Sequence, residues 1–273
     1  MPLLVLILVA VAAACASCFA AWRYPQLSVG SPAPALEAAR KAGEAIAKRP
    51  SLRRRLAPRL DPHAATGLAL TLALLTTIAG GVGLGALAYL ERTNGHLNRL
   101  DRSVGAWGYH HSSSMSRHEL RLVTQLGAFT TIVVLTLVVA AFETFRTRSA
   151  WILPFLIAVL GGEEVLTISI KDLADRTRPS FDPAAVSRLG PSFPSGHSAT
   201  AAAFYAGAAL LLGRRRGHAA RAALTGLAVG IAVAVAASRV LLDVHWLSDV
   251  IAGLLLGWAW FGACAIAGLG PGR

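Results

Sequence analysis

Charged residues are scarce in this sequence: Asp, Glu, Lys and Arg make up 15% of its 273 residues, whereas 55% are hydrophobic. A soluble domain normally carries about 25% charged residues, so this composition excludes an ordinary water-soluble globular protein. The mean hydropathy is +0.56. The apolar residues also fall in long blocks, many of them near the roughly 20 residues that a helix needs to cross a bilayer. The sequence therefore predicts an all-α, polytopic membrane protein.

Cysteine is also rare, with only Cys15, Cys18 and Cys264, all of them inside apolar segments. This set does not indicate a disulfide framework. Cys15 and Cys18 have the spacing of a redox or metal-binding pair, but they lack the charged neighbours that lower a thiol pKa. We interpret the three cysteines as small, polarizable packing residues.

Acidic residues are scarcer than basic ones: the sequence has 14 Asp and Glu and 26 Lys and Arg, which gives a formal net charge of +12. A basic balance can indicate nucleic-acid binding. In membrane proteins, however, Lys and Arg collect in cytoplasmic loops and face anionic lipid headgroups. Since no nucleic-acid motif accompanies the charge, we expect the bilayer as the partner and no nucleic acid.

Seven apolar segments are interpreted as membrane-spanning helices. Short basic turns separate the third from the fourth and the fifth from the sixth, which predicts antiparallel neighbours. We find no internal repeat. The predicted spans are residues 3–22, 65–90, 122–142, 150–170, 198–213, 222–241 and 247–268.

The positive-inside rule predicts the orientation of these spans. Loop 23–63 and the turns 143–149 and 214–221 are rich in Arg and Lys, and alternate counting of the spans puts all three on one side, the cytoplasm. The opposite, outer side then receives the N-terminus and the segments 91–121, 171–197 and 239–247.

The N-terminal region admits alternatives. Ala-Ala-Ala-Cys15 faintly resembles a lipoprotein cleavage site, and cleavage there would put the basic loop outside. The charge bias favours an uncleaved anchor with its N-terminus outside. Within the loop, residues 33–60 fit a helix on the anionic inner leaflet and a solvated basic linker about equally well.

Ionisable residues at membrane depth are costly and are often functional, and three groups of them fall on the predicted outer face. In the first group, Lys171 and Arg178 are two helical turns apart and Pro179 ends the helical stretch. In the second, Ser195 and Gly196 open a helix whose free N–H groups can hold a phosphate. Ser195 could instead be only an N-cap.

The third group contains the candidate nucleophile. His245 and Asp249 stand at i and i+4, on one helical face and within hydrogen-bonding reach. A carboxylate that holds one imidazole nitrogen leaves the other free to act as a nucleophile. Arg239 adds a planar donor fork for phosphate. A His–Asp pair that only stabilises a helix end is the alternative, but it does not explain why Arg, His and Asp occur together beside an apolar segment.

The sequence contains three motifs in the order Lys-x6-Arg-Pro, Pro-Ser-Gly-His and Ser-Arg-x5-His-x3-Asp. Together they resemble the tripartite signature of the type-2 phosphatidic acid phosphatase superfamily. The segment Leu100–Trp107 is similar to the amphipathic outer segment that precedes the family core. The resemblance implies a six-helix phosphatase domain over 65–268. The predicted anchor at 1–22 and the basic loop at 23–64 fall outside the family pattern, and a short tail is expected at 269–273. The matching positions are Lys171, Arg178, Pro179, Pro194, Ser195, Gly196, His197, Ser238, Arg239, His245 and Asp249.

The residue chemistry, consistent with this resemblance, supports a hypothesis for catalysis. His245 attacks phosphorus, Asp249 orients its imidazole, and His197 serves as general acid and then as general base. The cations oppose the negative charge that repels a nucleophile and stabilise the transition state. They do the charge work of a metal ion, so we expect no metal and no cofactor. The predicted phosphate-binding residues are Lys171, Arg178, Ser195, Gly196 and Arg239.

The expected function is a membrane lipid phosphatase that forms a phosphohistidine and acts on phosphatidate, phosphatidylglycerophosphate or undecaprenyl diphosphate. Its site would face the extracytoplasmic side of the cell membrane, and no obligate protein partner is evident. One alternative is an oxidoreductase like the vanadate-dependent haloperoxidases, which share the three motifs but are soluble. Another is a non-catalytic lipid-binding or transport protein, which the intact His245 and His197 disfavour. Phosphoryl transfer to an acceptor other than water also fits the sequence.

Overall fold

The computed structural model describes residues 1–25, 85, 93, 95–179 and 190–268, and all of its regular elements over these residues are helical. The all-α prediction is therefore confirmed for this part of the chain. The eight helices are α1 (Pro2–Arg23), α2 (Gly95–His111), α3 (Ser114–Gln125), α4 (Phe129–Thr147), α5 (Ile152–Ala174), α6 (Gly196–Gly213), α7 (His218–Leu241) and α8 (Leu247–Gly268).

Five of these helices, α1, α4, α5, α7 and α8, are long and apolar enough to cross a membrane. They correspond to the first, third, fourth, sixth and seventh predicted spans, so a polytopic membrane protein is confirmed. The other predictions for the N-terminal region and the tail lie outside the described residues. These are the second span at 65–90 (apart from residue 85), the basic loop at 23–64 beyond residue 25, and the tail at 269–273.

Helix α6 forms where the fifth span was predicted, but it is not among the five apolar helices. It is buried along most of its length and contacts α4, α5, α7 and α8. A helix that is surrounded by other helices needs small residues for close packing more than it needs high hydropathy. This explains why α6 is rich in alanine and can carry polar residues in its first turns.

The third span begins later than predicted. The apolar pattern placed it at 122–142, whereas α3 ends at Gln125 and α4 begins at Phe129. The break contains Gly127, where a Cβ atom would lie 2.9 Å from the backbone carbonyl oxygen of His197. The boundary is thus set by a close contact with the start of α6, which the apolar run of the sequence does not show.

Helix α1 packs antiparallel along α7. A Cβ atom on Gly226 of α7 would lie 2.6 Å from the carbonyl oxygen of Ala14 and 2.7 Å from the Cβ atom of Cys18. Near the end of α1, the Trp22 carbonyl oxygen accepts a hydrogen bond from Nε2 of His218 at 2.7 Å. Small residues at this crossing let two backbones approach closely, as in other membrane helix pairs. The N-terminal helix is therefore a packed member of the bundle.

The helix ends that carry the signature residues meet at one end of the bundle. Helices α5 and α7 finish there, α6 and α8 begin there, and α2 contacts both α7 and α8. The basic turn at 214–217 lies at the opposite end, where α1 finishes beside the start of α7. This relative placement agrees with the alternating topology expected from the sequence.

The backbones of helices α6 and α8 are in direct contact where the two helices cross, next to the turns that carry the signature residues. A Cβ atom on Gly253 would collide with the carbonyl oxygen of Ser195, and one on Gly257 would collide with the carbonyl oxygen of Ala199. The two glycines are four residues apart and so lie on one face of α8. Their close approach holds together the first turns of both helices.

We expect Gly257→Ala to lower the thermal unfolding midpoint of the protein in detergent. The added methyl group overlaps backbone atoms that cannot rotate away, and overpacking of this kind costs about 1–3 kcal/mol. Gly262→Ala is the matched control, because a Cβ atom there meets no described atom within 4 Å. Equal midpoints for the two variants would contradict the packing argument.

Candidate active site

The turn between α7 and α8 carries His245. Asp243, within this turn, has a left-handed backbone conformation with φ of 60°, which Asp tolerates better than most residues. The chain then places Nδ1 of His245 3.4 Å from Oδ2 of Asp249. Both side chains are buried, with 2% and 0% of their surface exposed.

The position of Asp249 determines which nitrogen of His245 carries the proton. The contact at Nδ1 is too poorly aligned for a hydrogen bond, and Asp249 Oδ2 accepts one from the backbone N–H of Trp246 at 2.9 Å. The carboxylate nevertheless faces Nδ1, so the proton of the neutral ring is favoured on that nitrogen. The lone pair then lies on Nε2.

Arg178 covers this second nitrogen. Its Nη1 lies 3.0 Å from His245 Nε2 and donates to the carbonyl oxygen of Val244 at 2.6 Å. Its Nε and Nη2 donate to the carbonyl oxygens of Gly190 and Pro191 at 2.7 and 3.2 Å. The guanidinium thus joins the turn before α6 to the turn before α8, a set of contacts that the prediction of a phosphate ligand did not include.

The surroundings of His245 keep its ring neutral. Burial is the main reason that its pKa falls to about 4, and the cations Arg178 and Arg239 lower it further, while Asp249 opposes them. Burial also lowers the pKa of Arg178. At neutral pH the imidazole therefore holds the lone pair that a nucleophile needs.

Three further signature side chains approach His245 from three helices. Lys171 lies in the last turn of α5, Arg239 in the last turn of α7 and His197 in the first turn of α6. His197 is within electrostatic range of His245, Arg239, Lys171 and Arg178. The structure therefore brings together side chains that the sequence places up to 74 residues apart.

Arg239 keeps donor capacity for an anion. Its Nη1 donates to the hydroxyl of Thr124 at 3.1 Å, whereas its Nε is buried without a hydrogen-bond partner among the described residues. A buried donor that stays unpaired costs about 1–3 kcal/mol, so an oxyanion beside it would be stabilised. Thr124 was not identified from the sequence, because its pairing with a residue of α7 leaves no local signal.

The turn before α6 is tied to α8 through Ser195. Its backbone N–H donates to the carbonyl oxygen of Asp249 at 3.0 Å, and its buried hydroxyl accepts from Ser198 at 3.0 Å. Ser195 occupies the N-cap position but makes no side-chain capping bond. A Cβ atom on Gly196 would meet only Thr167, at an ordinary 3.6 Å, so packing does not require glycine there. Contact of Ser195 and Gly196 with a phosphate stays a prediction.

Two side chains outside the signature lie against the site. Arg176 donates from Nη1 to Asp249 Oδ1 at 2.5 Å and from Nη2 to Asp101 Oδ2 at 2.9 Å. Asp101, on α2, also accepts the backbone N–H of Ser248 at 2.9 Å. The available sequence signals were an acidic residue in an amphipathic segment and a second arginine five positions after Lys171. Neither signal points to the other residue.

Below the site, the carboxyl group of Glu163 joins α5 to α6. It is fully buried and accepts hydrogen bonds from the hydroxyls of Thr167 at 2.6 Å and Thr200 at 3.0 Å. Thr167 lies one turn before Lys171, and Thr200 lies one turn after Gly196. The contact therefore fixes the two helices relative to each other directly beneath the predicted phosphate ligands.

A polar cavity of about 170 Å³ adjoins the site on the side of α2. Its polar walls suit a headgroup better than an acyl chain. Over the described residues, no group of three or more His, Cys, Asp or Glu side chains has metal-binding geometry. The cations around His245 form a set of donors for an anion. The cavity is lined by Asn98, Asp101, Arg102, Arg176, Thr177 and Trp246.

These features define a helical membrane protein with a cluster of cationic and imidazole side chains at one end of its bundle. Residues 149–268 match the model of the PAP2 superfamily. The chain is 34% identical over 137 residues to phosphatidylglycerophosphatase B of Bacillus subtilis, covering 50% of this chain and 66% of that one. It is 36% identical over 121 residues to lipid A 1-phosphatase of Rhizobium johnstonii, covering 41% of this chain and 46% of that one. The chain thus spans between about half and two thirds of these curated relatives.

A solved structure is also similar, the first transmembrane PAP2 type phosphatidylglycerolphosphate phosphatase from Bacillus subtilis. It matches with a TM-score of 0.61 and 27% identity, over 68% of this chain and 92% of that one. Residues 149–268 of this chain therefore carry a PAP2 superfamily domain, which confirms the resemblance seen in the motifs. The matched region contains every signature residue, and α1 to α4 precede it.

We expect inorganic phosphate to raise the thermal unfolding midpoint of the purified protein, since an anion that binds only the folded state stabilises it. Arg239→Gln should weaken phosphate binding by about tenfold or more, because a hydrogen bond to a charged group contributes about 1.5–3 kcal/mol. The measurement is the midpoint as a function of phosphate concentration at constant ionic strength. Arg215→Gln, in the exposed turn at the opposite end, should behave as the wild type. The same phosphate dependence in both variants would be evidence against this site.

Proposed function

We propose that this protein is a lipid phosphatase that hydrolyses phosphomonoester or diphosphate lipids through a phosphohistidine at His245, without a metal ion. The observation that carries the proposal is the arrangement around this ring. Asp249 faces Nδ1, and a cation lies at Nε2, where a phosphoryl group would be held. An imidazole kept neutral beside several cations is suited to attack a bound phosphate.

The relatives support a lipid substrate. They are named for phosphatidylglycerophosphate and lipid A 1-phosphate, which share a phosphoryl group on a membrane-anchored molecule. Phosphatidate, phosphatidylglycerophosphate and undecaprenyl diphosphate are the substrates that we propose to test. The basic turn opposite the site favours an extracytoplasmic active site in the cell membrane.

In the first step of the proposed reaction, Nε2 of His245 forms a bond to phosphorus as the bond from phosphorus to the lipid oxygen breaks. His197, which the negative charge of the bound phosphate keeps protonated, gives its proton to this leaving oxygen. Arg178 exchanges its contact with Nε2 for a phosphate oxygen, which frees the lone pair. Asp249 stabilises the positive charge that develops on the ring, and Lys171 and Arg239 stabilise charge on the phosphoryl oxygens.

In the second step, water attacks the phosphorus atom of the phosphohistidine. His197, now neutral, accepts a proton from this water, and the bond from phosphorus to Nε2 breaks. The electron pair returns to His245, inorganic phosphate leaves, and the site is restored. The same residue thus serves as acid and then as base, which is the general pattern for a double displacement.

The decisive experiment measures phosphate release from the three lipids by purified protein in detergent with EDTA. We expect full activity with EDTA and a loss of about a thousandfold or more in His245→Ala, because the nucleophile is removed. Rapid alkaline quenching of the wild type should trap an acid-labile phosphoenzyme that His245→Ala does not form. Activity that disappears with EDTA would refute metal independence, and full activity in His245→Ala would refute the nucleophile. Vanadate should inhibit hydrolysis, whereas an oxidoreductase of the haloperoxidase type would need it.

We also expect a low acid limit for activity. The pKa of His245 is lowered from 6.5 to about 4, so the ring loses its lone pair only as the pH falls through about 4. Arg178→Gln removes a cation that lowers this pKa, so its acid limit in kcat/KM should move to higher pH. Titration of the substrate is common to both proteins and cancels in the comparison. An acid limit in Arg178→Gln that is equal to or lower than that of the wild type would contradict a buried nucleophile whose pKa the neighbouring cations lower.

A further inference from the structure

We infer that Asp101 and Arg176 are positioning residues that hold Asp249, and through it His245, in the reactive geometry. This inference rests on the proposed function, because it assigns their role to the same histidine. We call Asp101, Arg176 and Ser248 the carboxylate clamp. The clamp connects α2, the segment after α5 and the first turn of α8.

The fork of Arg176 makes the central connection. Its Nη1 donates to Asp249 Oδ1 at 2.5 Å and to the Ser248 hydroxyl at 2.7 Å, while its Nη2 donates to Asp101 Oδ2 at 2.9 Å. The planar guanidinium thus gives each carboxylate its own nitrogen, at fixed relative positions. Since Oδ1 of Asp249 is held by Arg176, Oδ2 is left to face His245.

Asp101 fixes the other end of the clamp. Its Oδ1 accepts the backbone N–H of Ser248 at 2.9 Å, and its Oδ2 accepts the Ser248 hydroxyl at 2.5 Å. These donors belong to the first turn of α8, where a carboxylate is favoured by the free N–H groups and the helix dipole. Asp101 therefore anchors the turn that carries Asp249 as well as the arginine that holds it.

The side chains of the carboxylate clamp are almost fully shielded from solvent. Asp101 and Asp249 are 1% and 0% exposed, and the side chain of Arg176 is 9% exposed. A buried ion pair is weak evidence for stability, since desolvation offsets much of the attraction, so we assign the clamp a role in positioning. The clamp holds the carboxylate of Asp249, which directly contacts the proposed nucleophile, His245.

A second carboxylate–arginine pair, in which only the carboxylate is buried, provides the comparison. Glu143 is 2% exposed and accepts two hydrogen bonds from Arg146, three residues later on α4. That pair lies near the opposite end of the bundle and connects only one helix to itself. The clamp instead joins segments that are 75 and 147 residues apart in sequence. Loss of either pair should cost stability, but only loss of the clamp should change catalysis.

The clamp also predicts opposite electrostatic effects on His245. Removal of the Arg176 charge leaves Asp249 free to stabilise an imidazolium, so the pKa of His245 should rise. Neutralisation of Asp101 leaves the charge of Arg176 uncompensated, so the pKa of His245 should fall. The other groups that face His245 or share its site are the same in both variants. They are Lys171 of α5, Arg178 of the following segment, His197 of α6, Arg239 of α7 and Asp249 of α8.

The experiment compares Asp101→Asn, Arg176→Gln and Arg176→Lys with Glu143→Gln, all as the full chain in detergent, with a lipid that the wild type hydrolyses. We expect kcat to fall by about 10- to 100-fold in the three clamp variants, as for a slightly misplaced catalytic group, with little change in KM. Lysine should not fully rescue activity, because its single nitrogen cannot reproduce the two separate donor positions of the guanidinium. The double variant Asp101→Asn/Arg176→Gln should be no slower than the slower single variant, since the two residues act as a unit.

The pH profile separates positioning from a purely structural role. The acid limit of kcat/KM should move to higher pH in Arg176→Gln and to lower pH in Asp101→Asn. A kcat in Asp101→Asn equal to that in Glu143→Gln, or shifts of the same sign in both clamp variants, would overturn the inference. If Asp101→Asn does not fold, Ser248→Ala, which removes only the bridging hydroxyl, should still lower kcat. An unchanged kcat in Ser248→Ala would then count against the clamp.

Failure of the proposed function gives a different result. In that case the wild type forms no acid-labile phosphoenzyme, and His245→Ala hydrolyses lipid as fast as the wild type. Failure of the clamp alone leaves phosphoenzyme formation by the wild type intact and changes only the comparison between Asp101→Asn and Glu143→Gln.

Discussion

The carboxylate of Asp249 is the negative charge around which the active end of the bundle is organised. Several cations and two imidazoles meet there in a poorly hydrated environment, where like charges repel strongly. Asp249 faces His245 with one oxygen and accepts from Arg176 with the other, while its backbone carbonyl oxygen accepts the N–H of Ser195. One residue thus connects the ring, a cation and the turn before α6. The remaining cationic charge is what a bound phosphate would neutralise.

The position of this residue depends on how tightly the helices behind it pack. Helix α6 is covered by four neighbours, and α8 crosses it at Gly253 and Gly257 with no room for a side chain. Glu163 adds a polar connection between α5 and α6, with both of its oxygens engaged by threonine hydroxyls. The site therefore lies on rigid helix ends, and this rigidity keeps donors aimed where charge develops during a reaction.

Sequence patterns predicted part of this arrangement: the apolar spans, the grouping of the motifs at one end and the proximity of His245 to Asp249. The pair does not lie on one helical face as expected from its i, i+4 spacing, because His245 is in the turn before α8. Contacts between distant segments gave no such signal, which is why the carbonyl partners of Arg178 and the pairing of Asp101 with Arg176 were not predicted. The late start of α4 has the same origin, since a close contact at Gly127 ends the preceding helix inside an apolar run.

The contacts of the N-terminal helices also limit how far the chain can be truncated. The family match covers residues 149–268, and a fragment trimmed to those limits would keep every signature residue. It would lose Thr124, which accepts from Arg239, and Asp101, which accepts from Arg176. It would also expose the face of α7 that packs on α1 at Gly226. A fragment with a complete signature would therefore leave Arg239 without Thr124 and would leave Arg176 with only its contacts to Ser248 and Asp249. The part of the chain that holds these side chains in place is larger than the matched region.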